Sequence, residues 1–295
     1  MRFTHSSSRR RPLSALIGGL FAVLMTLVFL APAGATVSDP DNRVQVSPTS
    51  FPYNAIVEIT IPGNDLNGKP IGRCTGWLYA ANMVATAGHC VYDKTAVATG
   101  YFDTKGIRVW PGINGSTTNA PYGSCGVVKS WAPTGWTSGQ SEYYDYGAYK
   151  LDCNVGNTTG FLDYGMYQTA VGDFTRICGY PRGKAIDTQW CSDGHVQAVE
   201  TYQAYYDNDT CKRMSGSPVM YWTGSYWSVT AIHTYGRHST TAYYNHYTYN
   251  HGTRITSTVY NDLSTWARDT SAGTPPNPPA TPAYIAPTAC EPPPA

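Results

Sequence analysis

From Ala55 onward the chain alternates. Val57, Ile59 and Ile61 are apolar and the intervening Glu58 and Thr60 are polar, the period of a half-buried strand. Short stretches of similar character follow at 75–80, 84–87, 107–110, 126–131, 146–151, 175–180, 195–201, 217–222 and 227–233, with Gly, Pro, Asn or Asp between most of them. Many short strands punctuated by turn residues predict an all-β barrel or sandwich. One helix is predicted late in the chain, where Val259, Leu263 and Trp266 fall on one face at i, i+4, i+7.

The two ends depart from this pattern. Arg9, Arg10 and Arg11 precede an almost uninterrupted apolar run over 13–30, and Ala33, Gly34 and Ala35 form a small-residue cleavage site. Residues 1–35 therefore read as a secretory signal peptide. The run approaches the length of a spanning helix, so a retained anchor is the alternative. With cleavage after Ala35 the protein is expected to be secreted, without stable membrane association. From residue 271 to 295 Pro, Ala and Thr dominate, and such a segment buries too little apolar surface to fold alone. The folded domain is thus placed at 36–270.

Composition narrows the function. A formal net charge of +1, with Lys and Arg scattered, gives no basic stripe for nucleic acid. Export makes the 8 cysteines readable as disulfides, since no Cys-x-x-Cys pair or zinc spacing occurs. Cys74 with Cys90 is the best pair, and Cys125 with Cys153 is plausible. The partners of Cys178, Cys191, Cys211 and Cys290 stay open.

Three segments carry candidate chemistry. Thr86-Ala87-Gly88-His89-Cys90 ends an apolar strand, where an imidazole projects into a cleft. Tyr144-Asp145-Tyr146 brings an acid to the start of another strand, and a buried carboxylate there needs a donor such as an imidazole N–H. Met214-Ser215-Gly216-Ser217-Pro218 offers a hydroxyl in a tight turn. Taken singly these are equally a structural histidine, a turn aspartate and an ordinary Ser-Gly turn. Taken together, in the order His, Asp, Ser, they supply a nucleophile, a base and an acid that orients the base.

Thr-Ala-Gly-His-Cys closely resembles the histidine motif of chymotrypsin-like serine proteases. Ser-Gly-Ser-Pro-Val resembles the serine motif of their bacterial glutamyl endopeptidase branch. The likeness extends to 41–61, to Gly179-Tyr180-Pro181, to Ala231-Ile232-His233-Thr234 and to the stretch from His251 to Trp266. The resemblance implies two six-stranded antiparallel β-barrels with a C-terminal helix, and a secreted monomeric endopeptidase needing no cofactor or metal. It implies Ser215 as nucleophile, His89 as general base and Asp145 as orienting acid, with Asp152 the runner-up. The oxyanion hole would be the N–H groups of Ser215 and Arg213. The family has glycine at the latter position, so Arg213 threatens an imperfect or flipped hole, and a non-catalytic binding protein is the alternative that follows. An esterase would need a Gly-x-Ser-x-Gly elbow, which is absent.

The polypeptide substrate's P1 residue has two readings. His233 and Thr210 match the glutamyl branch's carboxylate-binding pair. Asp209, six residues before Ser215, instead resembles the trypsin aspartate that selects Lys or Arg. Cleavage after Glu or Asp is favoured, because His233 would be an odd floor for a cation pocket. The resemblance also brings the mature N-terminal amine, near Thr36, toward the P1 carboxylate. An aromatic insertion at 240–250 would form a lip beside the pocket. A metal site from His238, His246 and His251 has neither spacing nor carboxylate support.

Overall fold

The computed structural model describes Met1 and residues 36–38, 40–68, 70–167, 169–237 and 248–271. The expected leader beyond Met1, the proline-rich tail with Cys290, and His238 and His246 lie outside the described residues.

The N-terminal half contributes β1 (Val44–Gln45), β2 (Ile56–Asn64), β3 (Pro70–Ala80), β4 (Met83–Thr86), β5 (Arg108–Pro111), β6 (Cys125–Trp131) and β7 (Gly147–Leu151). Of these, β2-β3-β4-β7-β6-β5 closes into a six-stranded barrel. The alternation seen at 55–61 does two jobs in β2. Val57, Ile59 and Ile61 enter the first barrel's core, while Ile56 joins a second apolar cluster that includes Cys178, Tyr180 and Ile232. Every residue from Ile56 to Ile61 is consequently buried.

The second half supplies β8 (Asp163–Tyr164), β9 (Phe174–Gly179), β10 (Trp190–Val199), β11 (Gln203–Tyr206), β12 (Pro218–Trp222), β13 (Trp227–Tyr235) and β14 (Asn250–Arg254). Strands β10-β11-β14-β13-β12-β9 are neighbours in that order, and β9 pairs back onto β10 to close a second ring of six. The two-residue strands β1 and β8 add to its outside, on β10 and β13. The fold is therefore all-β, two six-stranded antiparallel barrels, as the motifs implied.

Differences from the sequence-based expectation are local. β10 begins at Trp190 rather than near His195, because Ser192 and Asp193 interrupt the apolar pattern while still pairing with β9. Asp193 is matched there by Arg176 directly across the ladder, in a two-pronged ion pair. β11, which alternation did not mark, is buried throughout and so has no polar face to reveal it.

Besides the short α1 (Thr134–Gly139) and α2 (Gly156–Thr159), the last element among the described residues is α3 (Ser257–Arg268). Thr256 caps α3 by accepting the Val259 N–H. Val259 and Leu263 are buried, and Trp266 stacks on Trp131 at 6.2 Å between ring centroids. Disulfides join Cys74 to Cys90, Cys125 to Cys153 and Cys178 to Cys191, and among the described residues no cysteine is free. No helix among the described residues is long and apolar enough to cross a membrane.

Leu263 is fully buried where α3 meets the core. Leu263→Ala is expected to lower unfolding free energy by roughly 2–5 kcal/mol. Urea denaturation checks this, and a loss under about 1 kcal/mol would mean that α3 is not part of the core.

Candidate active site

Strand register brings the first two candidates together. β4 and β7 are antiparallel, with Thr86 opposite Gly147. His89 lies just beyond the end of β4, and Asp145 just before the start of β7, so both sit at one end of the first barrel. Gly88 lets them approach: a Cβ there would lie 2.9 Å from Asp145 Oδ1 and 3.0 Å from the Trp136 ring. The Cys74–Cys90 disulfide ties this turn to β3.

Asp145 is fully buried, so its carboxylate must be satisfied from within. One oxygen accepts the His89 backbone N–H at 2.8 Å and the other lies 2.7 Å from His89 Nδ1. An ionised carboxylate only accepts, so Nδ1 carries the proton and Nε2 is left with its lone pair. Burial works against the His89 cation, but the charge and hydrogen bond of Asp145, with the charges of Asp93 and Glu142 adding, raise the pKa above the ordinary imidazole value. The His89 side chain remains 27% exposed.

Ser215 comes from the loop before β12. Its carbonyl accepts the Thr75 N–H of β3 at 2.9 Å, which anchors this second-barrel loop on the first barrel. Gly216 follows with φ +89°, and a Cβ there would meet the Thr75 carbonyl and the Thr86 hydroxyl at 2.1 Å. Only glycine fits that turn. His89 and Ser215 both line a cleft of about 370 Å³, whose other walls include Ile61, Ile71, Arg73 and Phe102. Asp152 is elsewhere, accepting the Gly126 N–H.

Arg213 adopts φ +79°, the left-handed conformation that a glycine would supply. The Lys212 carbonyl, which a flipped peptide would turn toward the site, has a main-chain partner. Arg182 donates its N–H to the Lys212 carbonyl at 2.8 Å, and in a planar trans peptide that sends the Arg213 N–H the opposite way. Ser217 likewise donates to the Met214 carbonyl at 2.9 Å, fixing the peptide that carries the Ser215 N–H. Neither N–H donates to another group among the described residues.

The specificity candidates are all buried. His233, on β13, has Nδ1 at 2.7 Å from the Tyr206 hydroxyl, a partner that sequence reasoning missed. Burial, with His251 and His89 adding to it, pushes His233 down to about 3, so its ring is neutral. Burial pushes the Tyr206 phenol well up, so it keeps its proton. Among the described residues His233 Nε2 and Thr210 Oγ1 are buried with no hydrogen-bond partner, while the main chain of His251 opposes the fall of the His233 pKa. Asp209 is differently placed: its two oxygens accept the main-chain N–H groups of Ser38 at 2.5 Å and Asn42 at 2.8 Å. Thr36 packs beside it, its N–H donating to Asn250 Oδ1 and its carbonyl accepting the Thr210 N–H.

A family model described as Trypsin matches residues 41–255. A glutamyl endopeptidase of Bacillus licheniformis is 39% identical over 78% of this chain and 69% of that protein. An extracellular metalloprotease of Bacillus subtilis is 35% identical over 86% of this chain and 76% of that protein. Among solved structures, a Glu endopeptidase in complex with MPD superposes with a TM-score of 0.66 at 30% identity, covering 79% of this chain and 99% of the other. The protease Anisep from Arthrobacter nicotinovorans superposes at 0.57 and 18% identity, over 76% and 99%, a likeness of fold alone. Among the described residues, Cys125, Asp152 and Cys153 bring ligand-type atoms together, but their two sulfurs form a disulfide and one carboxylate remains, so this set does not fit a metal ion.

Asp145 controls the His89 titration. Its effect raises the folded pKa, so His89 stabilises the fold below the unfolded value and this contribution fades as pH rises through the folded one. Asp145→Asn removes the charge and leaves the burial. The His89 ring is then expected to titrate lower than in the parent, read by NMR, and an unchanged midpoint would refute the coupling.

Proposed function

We propose that this chain, which belongs to the trypsin-like serine proteases and is related to the bacterial glutamyl endopeptidases, is a secreted endopeptidase that cuts after Glu or Asp, with Ser215, His89 and Asp145 as its catalytic residues. His89 Nε2 takes the Ser215 proton as Oγ attacks the scissile carbonyl carbon. The oxyanion is received by the Arg213 and Ser215 N–H groups. Collapse breaks the C–N bond, and His89 gives its proton to the leaving amine. Water, deprotonated by His89, then releases the acid and regenerates Ser215.

The observation that carries the P1 assignment is that His233 Nε2 and Thr210 Oγ1, at the positions of the glutamyl branch's carboxylate-binding residues, are both buried with no hydrogen-bond partner among the described residues. An unsatisfied buried polar atom is costly, and a ligand that satisfies it is correspondingly favoured. The Tyr206 hydroxyl keeps its proton and lies 2.7 Å from Nδ1; where it donates there, a neutral His233 carries its own proton on Nε2 and can offer it to a carboxylate. Two hydrogen-bond donors without fixed charge suit a carboxylate. The rival reading through Asp209 is disfavoured because both its oxygens are engaged by Ser38 and Asn42. The burial of Thr36 against Asn250 and Thr210 keeps the expected mature N-terminus beside these residues. Export is supported by the leader at 1–35, by the disulfides and by the extracellular designation of the Bacillus subtilis relative.

Digestion of a mixed peptide library, with P1 read by mass spectrometry, tests the assignment. Cuts after Glu or Asp are expected, and cuts after Lys or Arg would transfer the role to Asp209. Ser215→Ala is expected to reduce kcat on the order of 10⁵–10⁶-fold with folding retained. His233→Ala should lower kcat/KM on a Glu substrate by about 100-fold. Because neutral His89 is the base, activity should fall as pH drops through a midpoint above about 6.5, the ordinary imidazole value. A midpoint well below that would remove His89 from the role.

A further inference from the structure

Thr75 sits on β3 in the first barrel, fully buried, directly opposite Glu58 on β2. Its backbone N–H donates to the Ser215 carbonyl at 2.9 Å, and its own carbonyl accepts the Thr86 hydroxyl at 2.7 Å. The side chain has a further task. Its Oγ1 accepts the Tyr180 N–H at 3.0 Å and lies 2.9 Å from the Arg213 carbonyl oxygen. A threonine hydroxyl has one proton, and neither a backbone N–H nor a carbonyl leaves the direction open. Tyr180 takes a lone pair, so the proton goes to Arg213. Gly179 makes room for this crowding, since a Cβ there would lie 2.9 Å from Thr75 Oγ1.

Arg213 is therefore pinned on both sides of its Cα. The preceding peptide plane is held through the Lys212 carbonyl by Arg182, and the following plane through the Arg213 carbonyl by Thr75. Two fixed planes determine both dihedrals of the residue between them. A residue with a Cβ stays at φ +79° only when its surroundings over-determine it. Glycine would need no such restraint.

We propose that Thr75 is a positioning residue of the oxyanion hole, its hydroxyl latching the Arg213 carbonyl and so holding Arg213 in the left-handed conformation that presents its N–H. The proposal rests on the reading that the Arg213 and Ser215 N–H groups receive the oxyanion. It makes Thr75 and Arg213 a coupled pair, in which the hydroxyl compensates for the missing glycine.

The test is a double-mutant cycle on the mature enzyme, with the library peptide cut fastest as substrate and thermal melting to confirm folding. Thr75→Val keeps the shape and removes the hydroxyl. It is expected to lower kcat about tenfold with KM within about twofold, short of the full loss of one oxyanion donor. Thr75→Ser should restore most of that loss. In an Arg213→Gly background, Thr75→Val should cost less than about threefold, since glycine holds the conformation unaided. Equal losses in both backgrounds, no loss in either, or failure of Thr75→Ser to rescue would overturn the latch. A crystal structure of Thr75→Val separates this from the underlying reading. If the parent shows no Ser215-dependent hydrolysis, the functional reading fails, yet the latch is still decided: Arg213 at negative φ supports it, and Arg213 unchanged near +79° refutes it.

Discussion

The site depends on the demand of one buried carboxylate for donors. Asp145 has no access to solvent, and an unpaired charge in that position would cost several kcal/mol. Its neighbours answer with two bonds from a single residue, one from the His89 main chain and one from its ring. The first bond fixes where the turn after β4 runs. The second fixes which nitrogen of the ring faces outward. The surroundings are built to protect this pair: Gly88 gives clearance, Trp136 covers one side, and the Asp145 carbonyl is held by the Thr253 hydroxyl of β14 in the second barrel. A single electrostatic requirement thus couples the local turn, the tautomer and the packing of two barrels.

The seam between the barrels is polar as well as apolar. Glu58 of β2 and Asp187, from the β9–β10 connection, share the Arg73 guanidinium of β3. Burial pushes Glu58 up to about 8; Arg73 opposes the shift and Asp187 adds to it. Such a cluster need not stabilise the fold relative to well-packed apolar residues. It does restrict how the two halves meet, because any sliding would strand a buried charge. Thr75, two residues along β3 from Arg73, points to the same side of the strand by the two-residue period and engages Ser215, Arg213 and Tyr180. Charge at one position sets the seam, and hydrogen bonds at the next same-side position use it to hold the nucleophile loop.

Much of this was legible in the chain because the relevant signals are local. Alternation at 55–61 marked β2, the i, i+4, i+7 apolar face marked α3, and turn-flanked segments marked His89, Asp145 and Ser215. What stayed hidden depends on contacts distant in sequence. β11 has no exposed face, so burial erased its period. Arg213 reads as a departure from the family's glycine, and nothing within its own segment reveals its main-chain neighbours Arg182 and Thr75. Asp209 and His233 both matched pocket positions, with His233 favoured because it would be an odd floor for a cation pocket. The main-chain donors of Ser38 and Asn42, contributed from the far end of the domain, engage both oxygens of the carboxylate, whereas the imidazole is bonded to Tyr206 through Nδ1 and keeps Nε2 without a partner among the described residues.

The contrast between those two residues bears on how a pocket selects an anion. A fixed positive charge would bind carboxylate strongly, but burying it without a partner would destabilise the empty protein. His233 avoids that penalty by remaining neutral, and Tyr206 bonds its Nδ1 without supplying charge. On the proposed reading Nε2 and the Thr210 hydroxyl, without partners among the described residues, cost only the smaller penalty of unpaired neutral groups in the empty pocket. Discrimination on this design comes from leaving donors unanswered when the wrong residue enters, and hydrogen-bond readout of that kind rejects apolar side chains sharply. It also keeps the nearby His89 free of a competing cation. The pocket's proposed selectivity and the proposed base's protonation state are therefore compatible because the second histidine carries no charge.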